Sequence, residues 1–430
     1  MYKDCEIGSI PTNWNIQKLE ELANVTGGKR LPKGSSLSEI NNGHPYIRVS
    51  DMNDKGIQLD SMLYVPDDVV EQISRYRVDK DDLYISVAGT LGLVGKVPDE
   101  LNGANLTENA DRISNIRCNT DFLLYCLKSD FIKKIINSEM TTNAQPKLAL
   151  TRIKQFPIPV PPLKEQQKIA EILSSVDAAI EKTEQVIAKT EEVKKGLMQQ
   201  LLTKGIGHTE FKQTEIGEIP VEWELIKIQK LLDLGILDSI QDGNHGEKHP
   251  KSSDYCDEGI PFIMANDLIN GDIDFAKCKK IPKSIADNLR IGFSRENDIL
   301  LTHKATIGKV AIVPNIKDYV MLTPQVTYYR IKKQENLIPS FLKYYFESSK
   351  FQKELEVMSK QSTRSYIGIT NQKKLSILLP SIEEQTSIVE ILDTIVLKQK
   401  KEENKLQQLK IIKNGLMQQL LTGQVRIKID

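Results

Sequence analysis

Gly196-Leu-Met-Gln-Gln-Leu-Leu-Thr203 recurs letter for letter as Gly415-Leu-Met-Gln-Gln-Leu-Leu-Thr422. An octapeptide repeated at an offset of 219 marks an internal duplication, and a duplication constrains architecture before any local pattern does. Outward from it, other strings repeat in the same order. Ile7-Gly8-Ser9-Ile10-Pro11 with Trp14 matches Ile216-Gly217-Glu218-Ile219-Pro220 with Trp223, and these are the chain's only tryptophans. Gly43, Pro45, Ile47 and Asp51 match Gly259, Pro261, Ile263 and Asp267. Asp82, Thr90, Gly92, Val94, Val97 and Pro98 match Asp298, Thr306, Gly308, Val310, Val313 and Pro314. The chain is two copies of one unit.

The octapeptide closes a longer pattern. From Glu165 to Thr203 there is no proline, and Gly196 is the only glycine. Ile169, Leu173, Val176, Ile180, Thr183, Ile187, Thr190, Lys194, Leu197 and Leu201 step by four and three, the spacing of a coiled-coil seam. The second copy gives Ile388, Leu392, Ile395, Gln399, Glu402, Leu406, Leu409, Lys413, Leu416 and Leu420 in the same register. The offset between copies grows from 209 at the first motif through 216 to 219 and is constant along the helices. Loops absorb length changes whereas a packed helix cannot slip, so the helices read as framework. Each needs a partner for its apolar stripe, and the simplest is the other. Paired antiparallel, they would relate two heads by an approximate twofold axis, as a ruler between two half-sites on a duplex. The carboxylates Glu165, Glu171, Glu181, Glu191 and Glu192 read as a solvated helix face.

Ahead of each helix lie short β-type runs between turn residues, such as Leu83–Val87 and Val320–Leu322, then helices over Phe122–Asn137 and Phe341–Met358. Phe156-Pro-Ile-Pro-Val-Pro-Pro162 is extended and ends the first head, with Leu378-Leu379-Pro380 as its counterpart.

Composition sets bounds. Hydrophobic residues at 40% and charged residues at 27% suit a chain with a sizeable core, and no stretch has eighteen uninterrupted apolar residues, so a cytoplasmic protein without a membrane span is expected. Five scattered cysteines argue against a disulfide framework or a zinc cluster. His245-Gly-Glu-Lys-His249 sits among glycines and reads as loop. With 58 basic and 58 acidic residues the chain is neutral, so tight binding to DNA calls for charge from a partner. No GxxxxGK[ST], GxGxxG or GxSxG string is present, and no Asn/Asp-Pro-Pro-aromatic string of base methyltransferases, so no catalytic residue is assigned.

Candidate contacts to phosphate are Lys29, Arg30 and Lys33 in the cationic turn Gly27–Gly34, with Lys248 and Lys251 in the second copy. Candidates for base contact are Arg48, Ser50 and Asn266, then Ser86 and Thr90 with Thr302, Lys304, Thr306 and Lys309. A polar loop before each Pro-containing strand adds Asn143, Gln145 and Lys147 in one copy and Thr363 and Arg364 in the other. An ordinary turn uses the same residue types. Two alternatives therefore stay open, a coiled-coil scaffold that binds only protein and a stand-alone nuclease or methyltransferase.

Pro161-Pro-Leu-Lys-Glu165-Gln-Gln-Lys-Ile169-Ala-Glu-Ile-Leu173, the octapeptides and Ile216-Gly-Glu-Ile-Pro220 with Trp223 resemble the specificity subunits of type I restriction–modification systems. In the second copy Pro380-Ser-Ile-Glu-Glu384-Gln385 departs from the double-proline form. The resemblance implies an α+β chain: two similar α/β globular target recognition domains, joined and separated by two long antiparallel coiled-coil helices, with pseudo-twofold duplication. The expected division is residues 1–162, 163–205, 206–381 and 382–430. It further implies a double-stranded DNA target in two parts, one per head, two methyltransferase subunits and two restriction subunits as partners. S-adenosylmethionine, ATP and Mg belong to those partners, and the chain itself is expected to hold no cofactor.

Overall fold

A computed structural model describes residues 1–140, 147–246, 248–360 and 366–427. The chain divides into two compact units, Met1–Glu184 with Asn404–Asp430, and Gln185–Glu403. The division cuts both long helices, Leu163–Lys204 (42 residues) and Ile382–Leu421 (40 residues), so each begins in one unit and ends in the other.

In the first unit the start of one long helix meets the end of the other. Ile169, Ala170 and Leu173 share a core cluster with Leu420 and Leu421. One and three turns further along, Asp177 pairs with Lys413 at 2.6 Å and Glu184 with Lys410 at 3.2 Å. Rising numbers on one helix meet falling numbers on the other, so the two segments run antiparallel. In the second unit the roles reverse, and Ile388 and Leu392 share a cluster with Met198, Leu201 and Leu202. Every seam residue is buried or half-buried, including the polar Thr183, Thr190, Gln399 and Glu402. Thr183 and Thr190 tolerate this because their hydroxyls donate to the carbonyls of Ala179 and Val186, one turn back.

The heads share one topology. In the first, an antiparallel sheet runs in the order Val94–Lys96, Leu83–Ser86, Ala110–Ser114, Asn24–Gly27. In the second the matching order is Val310–Ile312, Ile299–Thr302, Val326–Ile331, Leu237–Asp242. The central strand Leu83–Ser86 is buried throughout because each of its faces meets a core: Leu83 and Ile85 face one cluster and Tyr84 another. A second sheet contains a parallel pair, Asn105–Leu106 with Pro45–Ile47, or Val320–Leu322 with Ile260–Ile263. The Pro-rich stretch is a strand: Pro157–Val160 pairs with Asn15–Lys18, and Ser376–Leu379 with Glu224–Lys227.

Two expectations change. The helices expected over Phe122–Asn137 and Phe341–Met358 are each broken in two, as Thr120–Leu127 with Asp130–Met140 and Pro339–Glu347 with Ser349–Lys360. A serine stands at each break, and the Ser129 and Ser348 hydroxyls take the carbonyls of Cys126 and Tyr345 that continuous helix would use. Glu165 is not on a solvated face. It is 1% exposed, because the indole beside it needs an acceptor, whereas Glu171, Glu181, Glu191 and Glu192 are exposed. Among the described residues no helix is long and apolar enough to cross a membrane.

Candidate nucleic-acid interface and its supports

Each head is seated on the helix ends by one repeated junction. Glu165 accepts from Trp14 Nε1 at 3.2 Å and is clasped by Arg426, with Nε to Oε1 at 2.8 Å and Nη2 to Oε2 at 3.0 Å. In the second unit Glu384 accepts from Trp223 Nε1 at 2.7 Å and meets His208 Nε2 at 2.9 Å. Neighbouring Gln166 accepts from the amide of Asn119 and donates to the carbonyl of Pro161, while Gln385 does the same for Ile338 and Pro380. The Glu-Gln dipeptide of the resemblance thus joins helix, head and proline strand. Gly423 and Gly205 end the long helices at φ +68, and a Cβ there would lie 2.6 Å from Pro11 or 2.8 Å from Trp223. Both the turn and the close approach require glycine.

The cationic turn leaves the first sheet at Gly27. Gly28 follows where a Cβ would be 2.0 Å from the carbonyl oxygen of Thr107, and Gly243 repeats this against Thr323. Lys29 and Lys33 are exposed, and Arg30 forms an ion pair with Glu108 at 2.6 Å. Lys248 and Lys251 of the second head are exposed as well. His245 and His249 each bond a backbone carbonyl through Nδ1, and no metal-ligating cluster occurs among the described residues.

The base-contact candidates separate into two groups. Ser50, Thr90, Lys147, Asn266, Lys304 and Thr306 are exposed. Ser86 and Thr302 are fully buried, and their oxygens accept from the amides of Leu93 and Lys309 to close the following loop. Arg48 clasps buried Asp51, and Lys309 Nζ donates to the carbonyl of Ala265. Asn143, Gln145, Thr363 and Arg364 lie outside the described residues.

The residue pattern does not single out the buried polar groups at the sheet ends. In the second head the Thr327 hydroxyl donates to Asp242 at 2.5 Å, meets His303 Nδ1 at 2.6 Å and accepts from Gln372 at 3.1 Å. Burial lowers the His303 pKa, with Asp242 opposing. In the first head the position of Thr327 is held by Asp111, which burial raises to about 6 against the pull of Lys147. A buried polar residue must find a partner, but in the strand Ala110-Asp-Arg-Ile-Ser114 nothing in the residue pattern makes Asp111 stand out.

The profile of the type I restriction modification DNA specificity domain matches residues 11–192 and again 220–411. A Methanocaldococcus jannaschii protein named for the MjaX type I restriction enzyme specificity subunit is 29% identical, over 99% of this chain and 97% of its own length. The MjaVIII type I restriction enzyme specificity subunit of the same organism is 27% identical, over 97% of this chain and 94% of its own. A solved chain from work on assembly and conformational transition of the type I R-M system shares the fold, with a TM-score of 0.57, 20% identity, and coverage of 97% of this chain and 99% of that one.

Proposed function

The chain belongs to the type I restriction modification DNA specificity family, and from that premise we propose that it binds a split, asymmetric duplex site, one half-site per head. It is a specificity subunit with two target recognition domains. One observation carries the asymmetry: two heads of one topology end in different polar chemistry, in one Asp111, whose Oδ2 has no hydrogen-bond partner among the described residues, and in the other the Asp242–Thr327–His303 cluster. Identical heads would favour a palindrome.

In this reading the chain carries no catalysis and works in the cytoplasm as a reader. S-adenosylmethionine, ATP and Mg act in two methyltransferase and two restriction subunits that it brings to the site. The octapeptides support a partner present twice. Leu197, Met198, Leu201 and Leu202, and their second-copy equivalents, are accounted for by contact with a head. Gly196, Gln199, Gln200 and Gly415, Gln418, Gln419 are exposed yet identical, and two identical exposed strips suit two copies of one methyltransferase.

Gel-shift titration of the chain reconstituted with its methyltransferase tests the reading, with each head replaced in turn by that of a relative. Each exchange should change one half of the preferred site and leave the other. Preference that survives both exchanges would sink the idea.

A further inference from the structure

Three buried carboxylates, Asp51, Glu165 and Asp298, are each 1% exposed, and each is clasped by an arginine: Arg48, Arg426 and Arg330. Asp111 is 4% exposed and, among the described residues, has no such partner. Among the described residues its Oδ2 accepts no hydrogen bond, and the charge acting on it is that of exposed Lys147. A buried acid left this way costs stability, and native chains keep few of them without a use.

Its position suggests the use. Asp111 faces Gly27 across the sheet, the last residue of its strand, from which the cationic turn springs. The equivalent residue of the second head, Thr327, is satisfied within the chain. So the same point is satisfied in one head and left unsatisfied in the other. A carboxylate only accepts hydrogen bonds, and the donors that bases present in the major groove are adenine N6 and cytosine N4.

We propose that Asp111 is a specificity-determining residue of the first head, whose free oxygen accepts a hydrogen bond from the exocyclic amino group of one base in that head's half-site. The proposal rests on the reading of the heads as half-site readers. Since the acid is buried, this contact requires that the segments covering it move on binding. Thymine O4 and guanine O6 at that position are rejected as acceptors facing an acceptor.

The test uses the complex reconstituted with its methyltransferase, on the site mapped from the bases it methylates. Duplexes carry one change at a time through both half-sites, purine for adenine or 2-pyrimidinone for cytosine, each lacking the amino group. Kd is measured at fixed salt for wild type, Asp111→Ala and Asp111→Asn. Wild type should lose about tenfold or more at one position of the first half-site, and the base there identifies the donor. Asp111→Ala should lose a similar factor on the intact site and show no further loss at that position. Asp111→Asn, which keeps the shape and can also donate, should tolerate thymine or guanine there. The profile across the second half-site, unchanged in both variants, certifies folding. An Asp111→Ala complex with wild-type affinity and an intact penalty at every position overturns the role of Asp111. A wild type indifferent to loss of every amino group in the first half-site likewise overturns the role of Asp111, and a wild type indifferent to exchange of whole base pairs there overturns the half-site reading itself.

Discussion

Asp111 and Ala305 are two residues at which the chain gives up stability. Burial raises the Asp111 carboxyl from 3.8 to about 6. The unfolded chain therefore loses its proton first as pH rises. Stability from this group is full below about pH 4 and is lost as pH passes 6. Asp111→Asn should remove that loss, stabilising the first unit by about 3 kcal/mol at pH 8 and by little near pH 4. Hydrogen exchange of the Ala110–Ser114 amides reads it, and equal protection at pH 8 would mean that the acid is already satisfied. Ala305 sits at φ +64 in the loop of Lys304 and Thr306, where the first head has Gly89 at φ +76. A left-handed alanine is strained, so Ala305→Gly should gain ~0.5–1 kcal/mol, seen as slower exchange along Ile299–Thr302. At this scale little was legible in the sequence. Ser86 and Thr302 look like contact residues because hydroxyls serve turns and bases alike, and only burial shows them closing loops. Asp111 does not stand out because composition does not reveal which strand residue lacks a partner.

At the scale of elements the long helices were legible and their allegiance was not. Heptad spacing places Leu420 on a buried stripe, but periodicity cannot say which head the stripe serves. The end of the second copy's helix completes the first head, with Leu420 and Leu421 in the cluster that holds Trp14, Ile10 and Ile158. Leu421→Ala should therefore cost about 3 kcal/mol in the first unit and leave the second untouched, although the residue follows the second head in sequence. Exchange protection lost along Glu224–Lys227 instead of Asn15–Lys18 would refute that packing. Glu165 was misplaced for a related reason: charge and helical position suggest solvent, while its partners Trp14 and Arg426 are 151 and 261 residues away. The exposed glutamines carry a different prediction. Gln418→Lys with Gln419→Lys should leave folding unchanged and lower the native mass of the reconstituted complex by one methyltransferase. A complex that retains both copies would show that the identity of the two strips has another origin.

For the whole molecule, what matters is that each long helix starts in one unit and finishes in the other. Both are free of proline, and the seam keeps one register from Ile169 to Leu201 and from Ile388 to Leu420. If these helices set the gap between half-sites, the gap is a length in residues and can be edited. A heptad added to one helix alone would break its register with the other and detach a head from its Trp–Glu junction. A heptad added to both, at matching points in the middle, keeps the seam and both junctions while adding about 10 Å. At 3.4 Å per base pair that is about three more unread bases. The preferred half-sites should be unchanged in sequence, because neither head is altered. They should move apart, and the change should appear when the bases methylated by the reconstituted complex are mapped by sequencing. Unchanged spacing with both half-sites still read would refute the ruler and place control of the gap in the partner subunits or in the bending of the DNA.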